Sequence, residues 1–183
     1  VTVVDTDEGP RPGTTMEVLA KLRPVTSLGD VTTAGNASSL NDGASCVIVA
    51  SDEALKKHNL TARARVVANS ARGVRPEIMG TGPIPATRDV LERTGWELDS
   101  VDAIELNEAF ATQSIACIRE LGLDEEKVNA WGGAIALGHP LGSSGSRITL
   151  TLLNRLETDG LSRGIATMCV GVGQGTAIAI ERV

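Results

Sequence analysis

Two residues in this sequence combine a reactive side chain with a setting that lets a ligand reach it. His139 stands between Gly138 and Pro140 in the glycine-rich stretch 132–145. Glycines allow close backbone approach and supply positive φ, and a histidine held there can act as a general base; a structural histidine in a tight loop is the other reading. Cys169 closes an apolar run at the mouth of Gly171-Val-Gly-Gln-Gly175. The C-terminal end of a strand followed by glycines is where α/β proteins build their sites, and a thiol there can attack a carbonyl or carry a proton. The other candidates read more plainly. His58 lies near the end of a polar helix beside Lys56 and Lys57. Cys46 falls within an apolar strand and Cys117 within a helix, so both read as core. Asn107, in Asn107-Glu-Ala-Phe110, either caps the helix that follows or points into a cleft at the same rim.

The elements that must position these residues follow from pattern and punctuation. A loop over 1–13 surrounds Arg11, a short helix is expected over 14–22, and 26–44 is a long irregular stretch rich in Gly, Ser, Thr and Asn. Long loops inside compact domains are often functional. The run 46–50 is continuously apolar and reads as a strand buried on both faces. Ser51 then caps a helix to about residue 59. Strands are expected at 65–69, 101–106 and, briefly, 128–131. Helices are expected at 86–94, 108–121 and 146–158, each with a glycine just past its end. The chain closes with strands 164–170 and 176–182 around a glycine turn, a hairpin. Alternating strands and helices imply an α/β domain with a mixed, mostly parallel sheet, helices on both faces and an antiparallel C-terminal hairpin.

Composition excludes several functions. The chain has 183 residues, a formal charge of −6 and aromatics at only 2%, with no basic run. It therefore lacks both the electrostatic footprint and the stacking platforms of a nucleic-acid binder. No apolar stretch is long enough for a membrane span. Three cysteines at long spacings form neither a zinc pattern nor a disulfide framework, which points to a reducing, cytoplasmic setting and to no bound metal.

Five segments, in order, resemble the C-terminal half of the thiolases, the family of acetyl-CoA acetyltransferase and 3-ketoacyl-CoA thiolase. They are Ala34-Gly-Asn-Ala-Ser-Ser-Leu-Asn-Asp-Gly43, Met79-Gly-Thr-Gly-Pro-Ile-Pro85, Asn107-Glu-Ala-Phe-Ala111, Gly132-Gly-Ala-Ile-Ala-Leu-Gly-His-Pro140 and Cys169-Val-Gly-Val-Gly173. The resemblance implies a thiolase fold and an acyltransferase of fatty acid and lipid metabolism. Such an enzyme moves an acyl group between a cysteine and coenzyme A, in thiolytic cleavage of a 3-ketoacyl-CoA or condensation of acetyl-CoA. It implies that His139 activates the nucleophilic cysteine and that Cys169 moves a proton at the α-carbon. Asn107 would hold a water in one oxyanion hole, and the Gly171 N–H would serve a second. Arg11, Ala37, Ser38, Met79, Ala109 and Phe110 match the family's coenzyme A and acyl channel. Coenzyme A is then a substrate, with no tightly bound cofactor.

The resemblance also implies an organisation. Residues 1–39 would be the tail of an inserted loop domain, 40–62 the last strand and helix of the N-terminal domain, and 63–183 the C-terminal domain. The nucleophilic cysteine belongs to the family's N-terminal half, so the chain is expected to be part of a longer protein and inactive alone. Its partners would be that half and further copies, as a homodimer or homotetramer. Thr26 and Trp131 stand where the family more often carries an aromatic residue and an asparagine, which bears on acyl preference. Two other readings are a ketoacyl-synthase-type condensing enzyme on the same fold and a non-catalytic acyl-CoA-binding chain. Asn107, where the second histidine of a ketoacyl synthase is expected, argues against the first; retained His139 and Cys169 argue against the second.

Overall fold

The computed structural model describes residues 2–7, 9–27, 29 and 31–183. Its elements, in order, are α1 (Met16–Leu19), α2 (Asp52–His58), β1 (Ala64–Gly73), α3 (Pro83–Thr94), β2 (Ala103–Leu106), α4 (Ala111–Leu121), α5 (Ala134–Leu137), α6 (Ser144–Thr158), β3 (Arg163–Val170) and β4 (Gln174–Arg182). The four strands form one mixed sheet in the order β1-β4-β3-β2. β2 and β3 pair in parallel, while β3–β4 and β4–β1 pair antiparallel.

Strand alternation divides the core between the two faces of this sheet. Ile104, Ile165, Ala177 and Ala179 pack with Ala86 and Val90 of α3, and with Ile118 and Leu121 of α4. The intervening residues Ala103, Ala166 and Ile180 pack with Ile148, Leu152 and Leu156 of α6. Helices therefore cover both faces, the antiparallel hairpin closes the chain, and the β2–β3 ends are the natural rim for a site. Local signals set the helix ends. Pro83 opens α3 with φ already fixed, and Gly95 and Gly122 close α3 and α4 in the left-handed region, each at φ 67. No helix among the described residues is long and apolar enough to cross a membrane.

Several expectations are corrected. The run 46–50 is not a buried strand. It belongs to no strand or helix, Cys46 is exposed, and Ile48 and Val49 are 85% and 81% exposed. Backbone needs a partner strand to enter a sheet, and none among the described residues pairs with it. The helix expected over 14–22 is a single turn capped by Thr15. The strand expected over 128–131 is only a bridge between Ile104 and Val128. Asn129 turns left-handed at φ 47 and ends the pairing. Asn107 does not cap α4; the cap position is Phe110.

Candidate functional site

The end of β2 is held open by asparagine chemistry. Asn129 uses its side chain as a strand would use its backbone. Its Oδ1 accepts from the Leu106 N–H at 2.8 Å and its Nδ2 donates to the Leu106 carbonyl at 2.7 Å. This ties the glycine loop to the rim at the residue before Asn107. Glu108 makes the second tie: its carboxylate accepts from Asn129 Nδ2 at 3.0 Å and from the Ile135 N–H at 3.1 Å. The carboxylate lies where a Cβ on Gly133 would stand, so a side chain at 133 would push Glu108 off both partners.

These ties bring Asn107 and His139 together. Asn107 Nδ2 donates to His139 Nε2 at 3.3 Å, and His139 Nδ1 lies 2.6 Å from Ser144 Oγ. Ser144 gives its own hydroxyl proton to the Pro140 carbonyl at 3.0 Å. Its oxygen is left to accept, so Nδ1 carries the ring proton and Nε2 keeps its lone pair. His139 is 8% exposed and Asn107 1%. Burial pushes the His139 pKa down, and the Arg147 cation adds to the shift. The imidazole is therefore neutral at pH 7, with its base nitrogen aimed at Asn107. Asn107 Oδ1 is buried and has no hydrogen-bond partner among the described residues.

Cys169 reaches the same rim from the other face. Met168 packs toward α6, so its neighbour Cys169 is directed toward the opposite face of the sheet, the one α3 and α4 cover. Burial pushes the Cys169 thiol up, against a smaller lowering by backbone hydrogen bonding, and it is a neutral thiol at pH 7. The next residues turn sharply. Val172 is left-handed at φ 65 and Gly173 at φ 88. Gly171 is exposed, and a Cβ there would meet nothing within 4 Å among the described residues.

The long segment before residue 46 straps across both loops of the site. The Ser38 N–H and Oγ both donate to the Ala109 carbonyl at 3.1 Å, the Ala111 N–H donates to the Asn36 carbonyl, and Ala37 bridges Phe110. The His139 N–H donates to the Ser39 carbonyl at 3.1 Å, and Ser45 Oγ donates to the Ser143 carbonyl at 3.0 Å. Of the expected channel residues, Ala37, Ser38, Ala109 and Phe110 therefore lie together. Met79 is half-buried before α3, and Arg11 is exposed in the front loop. Thr26 is exposed and Trp131 is 45% exposed. Sequence reading missed Ser144, Glu108 and Asn129, all polar residues next to motif positions, as well as Glu105 and Arg147.

Comparison with known proteins is consistent along the chain. Residues 44–182 match the family model for the thiolase C-terminal domain, and residues 1–53 match the one for the thiolase N-terminal domain. A beta-ketoadipyl-CoA thiolase of Pseudomonas aeruginosa is 60% identical over 184 residues, covering 100% of this chain and 46% of that protein. An acetyl-CoA acetyltransferase of Thiocystis violacea is 52% identical, covering 98% of this chain and 46% of the relative. The crystal structure of human mitochondrial 3-ketoacyl-CoA thiolase in complex with CoA superposes with a TM-score of 0.94. Its identity is 49%, over 98% of this chain and 46% of that one. The chain thus spans about half the length of the relatives it matches.

Proposed function

Because this chain belongs to the thiolase family, we propose that it supplies the base and oxyanion side of a thiolase that transfers acyl groups to and from coenzyme A. The observation that carries this reading is the buried chain Asn107–His139–Ser144, which leaves Nε2 unprotonated. In the proposed reaction Nε2 takes the proton of an attacking thiol. That thiol is the cysteine of an N-terminal half in the first step and coenzyme A in the return step. A thiolate is the reactive species, so a neutral base beside it sets the rate of attack. Asn107 Oδ1, without a partner among the described residues, is left to accept from a water. That water and the Gly171 N–H would each donate to an oxygen that becomes negative; fixed donors of this kind contribute roughly 10²–10³ in rate apiece. Cys169, held as a thiol, would give its proton to the α-carbon during thiolysis and recover it during condensation.

Coenzyme A would lie along the strap, with Ala37, Ser38, Ala109 and Phe110 along its pantetheine arm. Met79 would form the acyl wall, and Arg11 would stand at the nucleotide end. We assign residues 1–39 to the loop domain, 40–62 to the N-terminal domain and 63–183 to the C-terminal domain. The protein would work in the cytoplasm, in fatty acid metabolism, as a homodimer or homotetramer that includes the N-terminal half. The apolar run 46–50, exposed in this chain, supports that need for a second segment.

The test is made in the assembled enzyme, this chain together with the N-terminal half. His139→Ala should abolish acyl-enzyme formation, because the nucleophile stays a thiol. Cys169→Ala should still trap an acyl-enzyme by mass spectrometry yet fail to turn over. Equal loss of acylation in both variants would refute these roles.

A further inference from the structure

Met79 sits where backbone regularity is lost. The 3-10 segment Pro76–Thr81 is two turns that meet at Ile78, whose φ of −119 and ψ of 32 are not helical. Its own backbone bonds are short-range: the Ile78 N–H donates to the Arg75 carbonyl and the Gly82 N–H to the Met79 carbonyl. The placing of Met79 therefore depends on what the segment touches. Both ends are pinned to the closing hairpin. The Val74 N–H donates to the Gly173 carbonyl at 2.7 Å, and a Cβ on Gly82 would stand on the Gln174 carbonyl. The middle, next to Met79, is held by α4. Cys117 Sγ donates to the Gly80 carbonyl at 3.4 Å and accepts from Gln113 Nε2 at 3.7 Å. The Gln113 stem closes the same contact, since a Cβ on Gly80 would lie 2.9 Å from its Cγ. Cys117 is fully buried, in one cluster with Ile84 of α3 and with Leu106, the residue before Asn107.

We propose that Cys117 is a positioning residue for acyl selection: its thiol, oriented by Gln113, holds the Gly80 carbonyl and so fixes Met79 relative to the turn that follows Cys169. This rests on the reading of Met79 as the acyl wall. A core cysteine serving only as a small hydrophobe needs no polar partner; Cys117 has one on each side. Burial pushes its thiol up to about 11, against a smaller lowering by Gln113, so the proton it donates is present at neutral pH. The carbonyl it meets belongs to the residue after Met79, in a segment with little hydrogen bonding of its own. Losing the thiol would leave that carbonyl unpaired and let Met79 drift, while His139, Asn107 and Cys169 keep their own contacts. Cys117 therefore bears on how much room the acyl chain has, and not on the bond-making step.

The test uses the assembled enzyme and two readouts. One is the Met79 methyl signal in a methionine-methyl NMR spectrum, assigned by its loss in Met79→Leu. The other is the ratio of kcat/KM for acetoacetyl-CoA to that for 3-ketohexanoyl-CoA. Cys117→Val, which fills the space without a donor, should shift the Met79 signal and lower the ratio by roughly three- to tenfold, the worth of one hydrogen bond, because a loosened wall admits the longer chain. Cys117→Ser, which keeps the donor, should hold both near the wild type. A loss of stability alone would lower both rates together and leave the ratio unchanged. If valine proves too large and the spectrum loses its dispersion, Cys117→Ala carries the same test. An unmoved Met79 signal in a folded variant without the donor, or a serine variant that behaves like valine, overturns the proposal. Met79→Ala keeps the two readings apart: if it leaves the ratio unchanged, the acyl-wall reading has failed, and the methyl signal alone decides whether Cys117 holds Met79.

Discussion

Replacing Glu105 by glutamine tests whether a carboxyl truly sits desolvated in the sheet. The side chain is 1% exposed, and burial lifts its pKa from 4.5 to about 7 against the pull of Arg147 and Arg155. The folded chain therefore keeps a proton between pH 4.5 and 7 that the unfolded chain has already released. Stability from this group is complete below pH 4.5, falls as pH rises and is gone above about pH 7. A shift of that size corresponds to about 3 kcal/mol. Glutamine keeps the shape and cannot ionise, so its stability should lack this slope. Urea unfolding of both proteins at pH 4.5 and pH 8 measures it: the wild type should lose about 3 kcal/mol relative to Glu105→Gln over that interval. His139, with its lowered pKa, contributes a slope of opposite sign between its folded value and 6.5, but it does so in both proteins and cancels in the comparison. Glu157 and Glu181, held low by Arg63 and Arg65, lose their contribution only as pH falls below the usual carboxylate range. Parallel pH profiles for the two proteins would refute the buried-carboxyl argument.

Two further outcomes are expected. Val172 is a β-branched residue at φ 65 and 83% exposed, so Val172→Gly should relieve strain without losing packing and stabilise the chain by about 1 kcal/mol in thermal unfolding. Hydrogen exchange should be fast across 46–50, where no element forms, and slow in α4, β3 and β4. The Ser38, Ala111 and His139 N–H groups, bonded across the strap, should be slower than their neighbours, and rates equal to those neighbours at all three would contradict that pinning.

How much of this could be read from the residues depended on whether the signal was local. The α3 and α4 C-termini at Gly95 and Gly122 and the Ser51 cap of α2 are local events, and the structure places them where the sequence does. The closing hairpin is legible for the same reason: two apolar runs flank a glycine turn. The run 46–50 was misread because apolarity reports that a segment will be covered, not by what. A strand also needs a neighbour for its backbone, and no property of Val47, Ile48 or Val49 names one. The short strand at 128–131 failed for a subtler reason. Asn129 satisfies Leu106 with its side chain, and sequence reading assigns that hydrogen-bonding capacity to backbone. His139 and Asn107 stood out singly, but their meeting across 32 positions is a tertiary fact. So are the roles of Ser144 and Glu108, which look like ordinary polar residues beside a motif.

The strap explains why a base could be assembled from such weak local signals. A loop with several glycines has many conformations to lose, and left alone 132–145 would hold His139 poorly. Three independent anchors restrict it: Glu108 on the Ile135 N–H, Asn129 on Leu106, and the Ser39 carbonyl on the His139 N–H. Gly138, at φ 94, has its missing Cβ replaced by Asn41 of the strap. Gly43 lies against Pro140 in the same way. Gly133 and Gly138, which loosen the loop, are thus also places where a carboxylate or the strap closes onto it. The freedom that lets backbone approach a ligand is removed by contacts that only the folded chain provides. Residues 36–45 are therefore part of the site's rigidity as much as of its lining. An insertion there would loosen His139 before it disturbed the sheet, because the strap's hydrogen bonds go to the site loops and the sheet core is built from residues 64–182.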